Sequence, residues 1–257
     1  MVNLLKRNHR KTSKKKMDSN KESRGRLFLI PSPLGDYDPS EVIPSPVLEK
    51  ARQIKTFVVE EVRTARRYLS AAGLKGHIQE LEFHELNEHT PEIEVEKMKS
   101  LFDRGNDVGL ISEAGLPAVA DPGAVLVAKC HQWGIEVVPM VGPSSLMLAL
   151  MGSGLNGQSF SFVGYLPAKT DERRNALKTM EKRSASLRQT ILFIETPYRN
   201  DQMLSDILSV CQGSTRLCIA ADLTTENAFI RTMTVSAWKK EVPIIGKRPC
   251  VFLILAR

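Results

Sequence analysis

The 257-residue sequence has little that crosslinks, exports or anchors a chain. Its four cysteines, Cys130, Cys211, Cys218 and Cys250, form no Cys-x-x-Cys pair, and no histidine stands at metal-ligand spacing from them. They read as reduced thiols, mostly buried as small hydrophobes, so neither a disulfide framework nor a metal site is expected. No apolar run approaches the ~20 residues that span a bilayer. The basic N-terminus lacks the apolar stretch of a secretory signal. A cytoplasmic protein with no membrane association is expected. The Gly-x-x-x-x-Gly-Lys phosphate loop and the Gly-x-Gly-x-x-Gly dinucleotide fingerprint are both missing.

Excess charge is also missing from most of the chain. Nine of the 36 Lys and Arg, and two of the 29 Asp and Glu, lie in residues 1–25, so that segment carries the whole net charge of +7. The remainder is neutral. Residues 1–25 lack hydrophobic periodicity and are expected to be disordered. Such a tail is either a solvated arm or an RNA-phosphate contact made through counterion release, and Met17 offers a second start.

Beyond the tail one theme repeats: a short apolar run, a Gly/Pro/acidic loop, then a helical stretch. The runs are Leu27–Ile30, Thr56–Val59, Val108–Ile111, Ile135–Met140, Phe160–Val163, Ile191–Ile194, Leu217–Ala220 and Val251–Leu255. Runs this short and this rich in branched residues suit strands buried on both faces. Helices are expected from Pro91 to about Arg104, from Asp121 to Trp133 with a stop at Gly134, over Asp171–Arg183 and over Asn200–Val210. Strands alternating with helices predict an α/β fold with mainly parallel sheets. The Gly-rich stretch Gly152–Ser159 is the expected boundary, giving a tail (1–25), an N-terminal α/β domain (26–152) and a C-terminal α/β domain (159–257).

Ligands of α/β sheets bind beyond the carboxyl ends of the strands, so three loops stand out. Pro31–Asp36 carries two stiffening prolines and Gly35. Ser112–Gly123 runs through small residues and two prolines into a capped helix, with Glu113 able to accept from an amine or a ribose hydroxyl. Val138–Ser145 ends in Gly-Pro-Ser-Ser at a helix start, where main-chain amides are free.

These loops resemble the signature loops of the tetrapyrrole methylase superfamily, and within it those of the bacterial small-subunit rRNA cytidine 2′-O-ribose methyltransferases. The family pattern runs P-T-P-I/L-G-N, E-D-T-R, S-D-A-G-x-P-x-x-x-D-P-G, P-G-P-S/A, F-x-G-F-L-P, Y-E-S/T-P-H-R and R-E-L-T-K. Here Pro31–Asp36, Glu60–Arg63, Ser112–Gly123, Val141–Ser144, Phe162–Pro167, Ile194–Arg199 and Ala221–Thr225 follow in the same order. The resemblance implies two α/β domains with S-adenosylmethionine in the cleft between them, a homodimer, and RNA or the small ribosomal subunit as partner. By position the cofactor would touch Pro33, Glu113, Ala114, Gly115, Val119, Ala120, Ser144 and Ser145 of the first domain. From the second it would touch Tyr165, Leu166 and the region after Ala220.

Departures fall on the substrate side: Asp36 for Asn, Glu61 and Val62 for Asp-Thr, Glu113 for Asp, Tyr198 for His, and Ala221 and Thr225 for two cations. A ribose hydroxyl is a poor nucleophile that gains from a positioned base. The candidates are Glu60, Glu61, Asp36 and Glu195, with Glu61 and Glu195 ranked first and with Arg63 and Arg199 positioning a phosphate. His84 and His89 either face the substrate or are surface residues. Phe160 and Phe162 are expected in a strand core with Tyr165 in the cleft, and Met140, Met147 and Met151 in core packing. Alternatives to RNA methylation are a tetrapyrrole-like small-molecule methylase, disfavoured by the first loop, and a cofactor-binding protein without catalysis.

Overall fold

Thr56–Val59 (β2) and Val108–Ile111 (β4) contain no accessible residue, and strands buried on both faces belong at the middle of a sheet. A computed structural model, which describes residues 24–257, puts them there. The first sheet also contains Leu27–Leu29 (β1), Glu82–Glu85 (β3) and Val137–Pro139 (β5), in the order β3-β2-β4-β1-β5, and every pairing is parallel. Successive side chains point to opposite faces. Phe57 and Val59 pack under Ser45–Gln53 (α1) and Val62–Leu69 (α2), while Val58 and Leu110 pack with residues of Glu92–Lys97 (α3) and Gly123–Trp133 (α4). Gly109 in β4 leaves room for a neighbour's ring: a Cβ there would lie 2.7 Å from Phe57 Cδ1. Gly134 ends α4 in the left-handed region at φ 70°, as its position predicts.

The next helix, Ser145–Ser153 (α5), leaves this sheet and packs on the other one. Its Leu146, Ala149 and Leu150 share a core with Leu192, Cys218 and Leu253. The second core therefore begins before Gly152, because the apolar face of α5 is covered from that side.

The second sheet consists of Phe160–Tyr165 (β6), Thr190–Ile194 (β7), Arg216–Ala221 (β8), Phe229–Thr234 (β9) and Cys250–Leu255 (β10), ordered β6-β7-β10-β8-β9. Here the expected parallel pairing holds for β6 and β7 alone; the other three pairings are antiparallel. The connections explain the difference. The helix Thr170–Leu187 (α6) supplies the crossover a parallel pair needs, whereas a short turn joins β8 directly to β9. The final strand, β10, is buried along its whole length between β7 and β8. Asn200–Val210 (α7) and Val235–Trp238 (α8) complete the unit, with fully buried Trp238 donating its indole N–H to the Leu217 carbonyl at 2.9 Å.

The tail expected over residues 1–25 lies outside the described residues up to position 23. Arg24 and Gly25 are fixed to the body, through Arg24 Nη1 to the Trp133 carbonyl at 2.6 Å and Gly25 N–H to the Phe102 carbonyl at 2.9 Å. All four cysteines are free and buried; burial pushes the thiols of Cys130, Cys211 and Cys250 up to about 12. Among the described residues no helix is long and apolar enough to cross a membrane.

A buried ion pair ties the loop after β6 to α7. Arg173 Nη2 lies 2.6 Å from Asp206 Oδ2, Arg174 Nε reaches Oδ1 at 2.8 Å, and Arg173 Nη1 donates to the Ala168 carbonyl at 2.6 Å. Burial alone would raise the Asp206 carboxyl, but the bonds from Arg174 and Arg173 outweigh it and hold the group below the usual carboxylate range. Asp206→Ala leaves Arg173 buried without its counter-charge and should lower the unfolding free energy by roughly 3–5 kcal/mol, read by urea denaturation at pH 7. A depressed folded-state value means that this contribution is present above the ordinary Asp range and lost as pH falls through the folded value. The difference between wild type and variant should therefore shrink in acid.

Candidate active site

Parallel strands in the order β4-β1-β5 bring the loops that follow them side by side at one edge of the first sheet. Two of these loops are clipped together by main chain. Ser32 N–H donates to the Gly115 carbonyl at 2.9 Å, and Gly115 N–H returns a bond to the Ser32 carbonyl at 3.1 Å. Ser32 Oγ adds a bond to the Ser112 carbonyl at 3.1 Å, and Tyr68 from α2 donates to the Pro31 carbonyl at 2.9 Å.

The Ser112–Gly123 loop holds three left-handed residues: Gly115 at φ 79°, Ala118 at 63° and Ala120 at 58°. At Gly115 a Cβ would stand 3.1 Å from Leu34 and 3.3 Å from the Pro143 carbonyl, so neither the backbone angle nor the space suits a larger residue. At the two alanines the left-handed conformation stores strain of about 1–3 kcal/mol each. Asp121 holds the turn, its Oδ1 accepting from Ala118 N–H at 3.0 Å and Gly123 N–H at 2.6 Å. Facing this loop, the second unit has left-handed residues of its own, Gly164, Asp222 and Thr224. Thr224 Oγ1 meets Tyr37 Oη at 2.5 Å, which joins the two halves at one end of the cleft.

Three cavities line the cleft and share walls. One of about 160 Å³ lies between Gly115, Val119, Ala120, Ser144, Ser145 and Phe162. One of about 250 Å³ has largely apolar walls that include Leu34, Tyr165, Ile194, Ala220 and Leu223, with Glu195 among them. The third, about 290 Å³, runs beside Pro33, Asp36, Arg67 and Glu113. Ala114 lines all three. The cleft thus brings together nine of the ten residues expected to touch a cofactor. The tenth, Leu166, turns its side chain into the core of the second unit beside Leu177. Phe162 packs against the second core as expected and also lines the 160 Å³ cavity, whereas Phe160 is 40% exposed at the start of an edge strand. Met147 and Met151, also expected inside, are 41% and 78% exposed because α5 buries its other face.

The four acid and base candidates separate. Glu61 caps α2: its carboxylate accepts from Thr64 Oγ1 and Thr64 N–H, both at 2.6 Å, and from Arg63 N–H at 2.7 Å. The Thr64 hydroxyl, with those amides, holds it below the usual range. With both oxygens committed to the helix end, it is not free to act as a base. Arg63 is exposed on α2 with no carboxylate partner among the described residues. Glu195 is buried. Its Oε1 takes Thr196 N–H at 2.7 Å and Arg199 Nη2 and Nε at 2.7 and 3.0 Å, whereas Oε2 is buried with no partner. Glu195 thus orients the Arg199 guanidinium through Nε and Nη2, and the side chain stays partly exposed.

Glu60, ranked lower on sequence, is the perturbed group. Partial burial raises its carboxyl first, the neighbouring charges of Asp121 and Glu113 raise it further, and the Glu113 amide pulls it part of the way back. Another missed residue is Arg248, which brings a cation to the segment that had seemed to lose two. Its Nε lies 2.5 Å from Asp222 Oδ2 and its Nη2 donates to the Asn227 carbonyl at 2.5 Å. No spacing in the sequence connects position 248 with 222; only the pairing of β8 with β10 does. His84 and His89 line a separate open groove of about 810 Å³ beside β3, with Val62 and Phe83.

Residues 45–238 match the family described as Tetrapyrrole (Corrin/Porphyrin) Methylases. A protein of Escherichia coli O157:H7 named ribosomal RNA small subunit methyltransferase I is 31% identical over 230 residues, which cover 88% of this chain and 76% of that protein. Its counterpart in Vibrio cholerae is 32% identical, over 82% and 69% of the two chains. Among solved structures, the methyltransferase CobJ superposes with a TM-score of 0.59 at 13% identity, over 90% of this chain and 94% of its own. A conserved hypothetical protein from Aeropyrum pernix K1 gives 0.63 at 14% identity, over 91% and 86%.

The raised carboxyl of Glu60 predicts a pH-dependent stability difference. In the folded state its ionised form is disfavoured, so Glu60→Gln should raise the thermal midpoint at pH 7. The gain should vanish once pH falls below the ordinary glutamate value, where both chains are neutral at that position. Calorimetry at pH 7 and pH 4 reads it; equal midpoints at pH 7 would remove the like-charge explanation.

Proposed function

The chain belongs to the tetrapyrrole (corrin/porphyrin) methylase family, and on that premise we propose that it is an S-adenosylmethionine-dependent methyltransferase acting on ribosomal RNA at a ribose 2′-hydroxyl. The observation that carries this reading is the strained loop Gly115–Ala120 beside a mostly apolar cavity, behind whose wall Glu195 keeps a buried Oε2 without a partner.

The residues present fit the cofactor. Gly115, Ala118 and Ala120 give the loop a left-handed main chain beside the slot, and a Cβ at position 115 would press on Leu34 and the Pro143 carbonyl. Ser144 and Ser145 bring hydroxyls and the start of α5. The repulsion among Glu60, Glu113 and Asp121 is relieved by a cationic ligand, which suits a sulfonium carrying an amine. Pro33, Glu113, Ala114, Gly115, Val119, Ala120, Ser144, Ser145 and Tyr165 would hold it. Bound there, S-adenosylmethionine supplies an electrophilic methyl group.

What the protein adds is orientation and proton handling. Arg199 fixes the Glu195 carboxylate through Oε1 and leaves the buried Oε2 unpartnered; once substrate binding uncovers it, that oxygen is the acceptor for a hydroxyl proton. Leu34, Ile194 and Leu223 exclude water around it. Two further parts of the reading are a cytoplasmic location and a homodimer; exposed Val141 and Met151 offer apolar surface for the second.

The test is transfer of label from methyl-labelled cofactor into small-subunit rRNA, with the modified nucleotide mapped in a strain lacking the protein. Label entering a tetrapyrrole precursor instead, or no pool at all, would overturn the RNA reading. Glu195→Gln should lower kcat by about 10²–10⁴-fold while cofactor affinity, measured by calorimetry, stays within a factor of a few. Unchanged kcat would remove Glu195 as the proton acceptor.

A further inference from the structure

Three cavities make up the cleft, and among the described residues only one Lys or Arg lines any of them: Arg67, on the exposed side of α2. It does not stand alone. Arg63, Arg66 and Arg67 fall at i, i+3 and i+4, so they share one face of the helix. All three are exposed, and none has a carboxylate within ion-pair distance among the described residues. Arg66 lies over the Phe83 ring, 5.3 Å from its centroid, which stiffens its stem and leaves the guanidinium edge open. The helix itself contains no acid, and the nearest one, Glu61, has its carboxylate tied to the helix N-terminus.

Several basic residues elsewhere are paired, Lys129 with Glu92 and Glu96, Arg231 with Glu241 and Arg248 with Asp222. Among the unpaired ones of the described residues, this row is the one that reaches a cleft cavity, through Arg67. Like charges at i, i+4 repel, so the row is a small liability to the helix unless an anion covers it. The neighbouring groove beside β3 is mixed in charge, with Glu85 and Glu94 against Lys97, His84 and His89, so the unbroken row of cations is the one on α2.

We propose that the Arg63–Arg66–Arg67 face of α2 is the docking surface for the phosphate backbone of the RNA strand that presents its acceptor ribose to the cleft. Arg67 takes the phosphate nearest the cavity beside Asp36 and Glu113, and Arg63 and Arg66 take phosphates farther along the strand. Guanidinium forks match phosphate oxygens in geometry as well as charge. Such contacts fix register without reading sequence. The proposal rests on the RNA reading above and narrows it to one surface.

The experiment compares wild type with the double variant Arg66→Gln/Arg67→Gln in methylation of small-subunit rRNA across a series of salt concentrations. KM for RNA should rise about 10-fold, and the slope of log affinity against log salt should become shallower by roughly 1.4, two contacts at 0.7 each. Arg66→Lys/Arg67→Lys should recover most of the slope, because charge rather than helix packing is at issue. In wild-type protein, bound RNA should shield these arginines from phenylglyoxal, mapped by mass spectrometry, a measurement that needs no variant to fold. An enzyme that methylates rRNA but shows an unchanged slope in the glutamine variant, or no shielding, overturns the docking surface and leaves the RNA reading standing. A wild-type protein that neither binds nor methylates rRNA overturns both.

Discussion

The cleft depends on the pair of main-chain bonds between Ser32 and Gly115. Each residue leaves the carboxyl end of a central parallel strand, and adjacent strands can join their loops so closely only if one partner lacks a side chain and accepts a left-handed backbone. Gly115 meets both conditions. With this clip in place, the following turn is forced through Ala118 and Ala120, and Asp121 satisfies the amides that the strained path would strand. The floor of the site is therefore a backbone surface set by the geometry of β1 and β4. Side-chain chemistry is left to the walls.

Those walls divide electrostatically. Around the first sheet the glutamates and aspartates near the central loop crowd one another, and Glu60 registers the crowding. The opposite wall has a single acid, Glu195, which is neutralised on one oxygen by Arg199 and left bare on the other. The outer rim is cationic on α2. Three surfaces of different character thus meet around one cleft: one acidic, one apolar and one basic.

Much of the fold was legible because two-sided burial leaves a plain mark. Thr56–Val59 and Val108–Ile111 appear in the structure with the bounds that their apolar runs predict. Strands β3 and β9 escaped because they are sheet edges: Glu-Phe-His-Glu and Phe-Ile-Arg-Thr-Met-Thr carry polar residues that an inner strand could not. Strand direction was illegible for another reason, since an apolar run looks the same whichever way its neighbour runs. In the site, the cleft-lining loops could be found because Gly and Pro mark abrupt turns. The left-handed alanines could not, because nothing in an alanine's identity announces its backbone angle. Nor could the sequence decide between Glu60 and Glu61. Glu60 lies among Asp121, Glu113 and Glu88, whereas Glu61 turns into the amides of α2, and that choice is made by where β2 ends.

Helix α5 begins at Ser144 and Ser145 in one half and spends its apolar face on the other. The chain passes from one sheet to the other through residues 140–144 alone, the irregular stretch between β5 and α5. Any motion of one sheet relative to the other must be absorbed by those five residues, which include Pro143 and the cavity-lining Ser144. The slot and its one covalent crossing therefore share a wall.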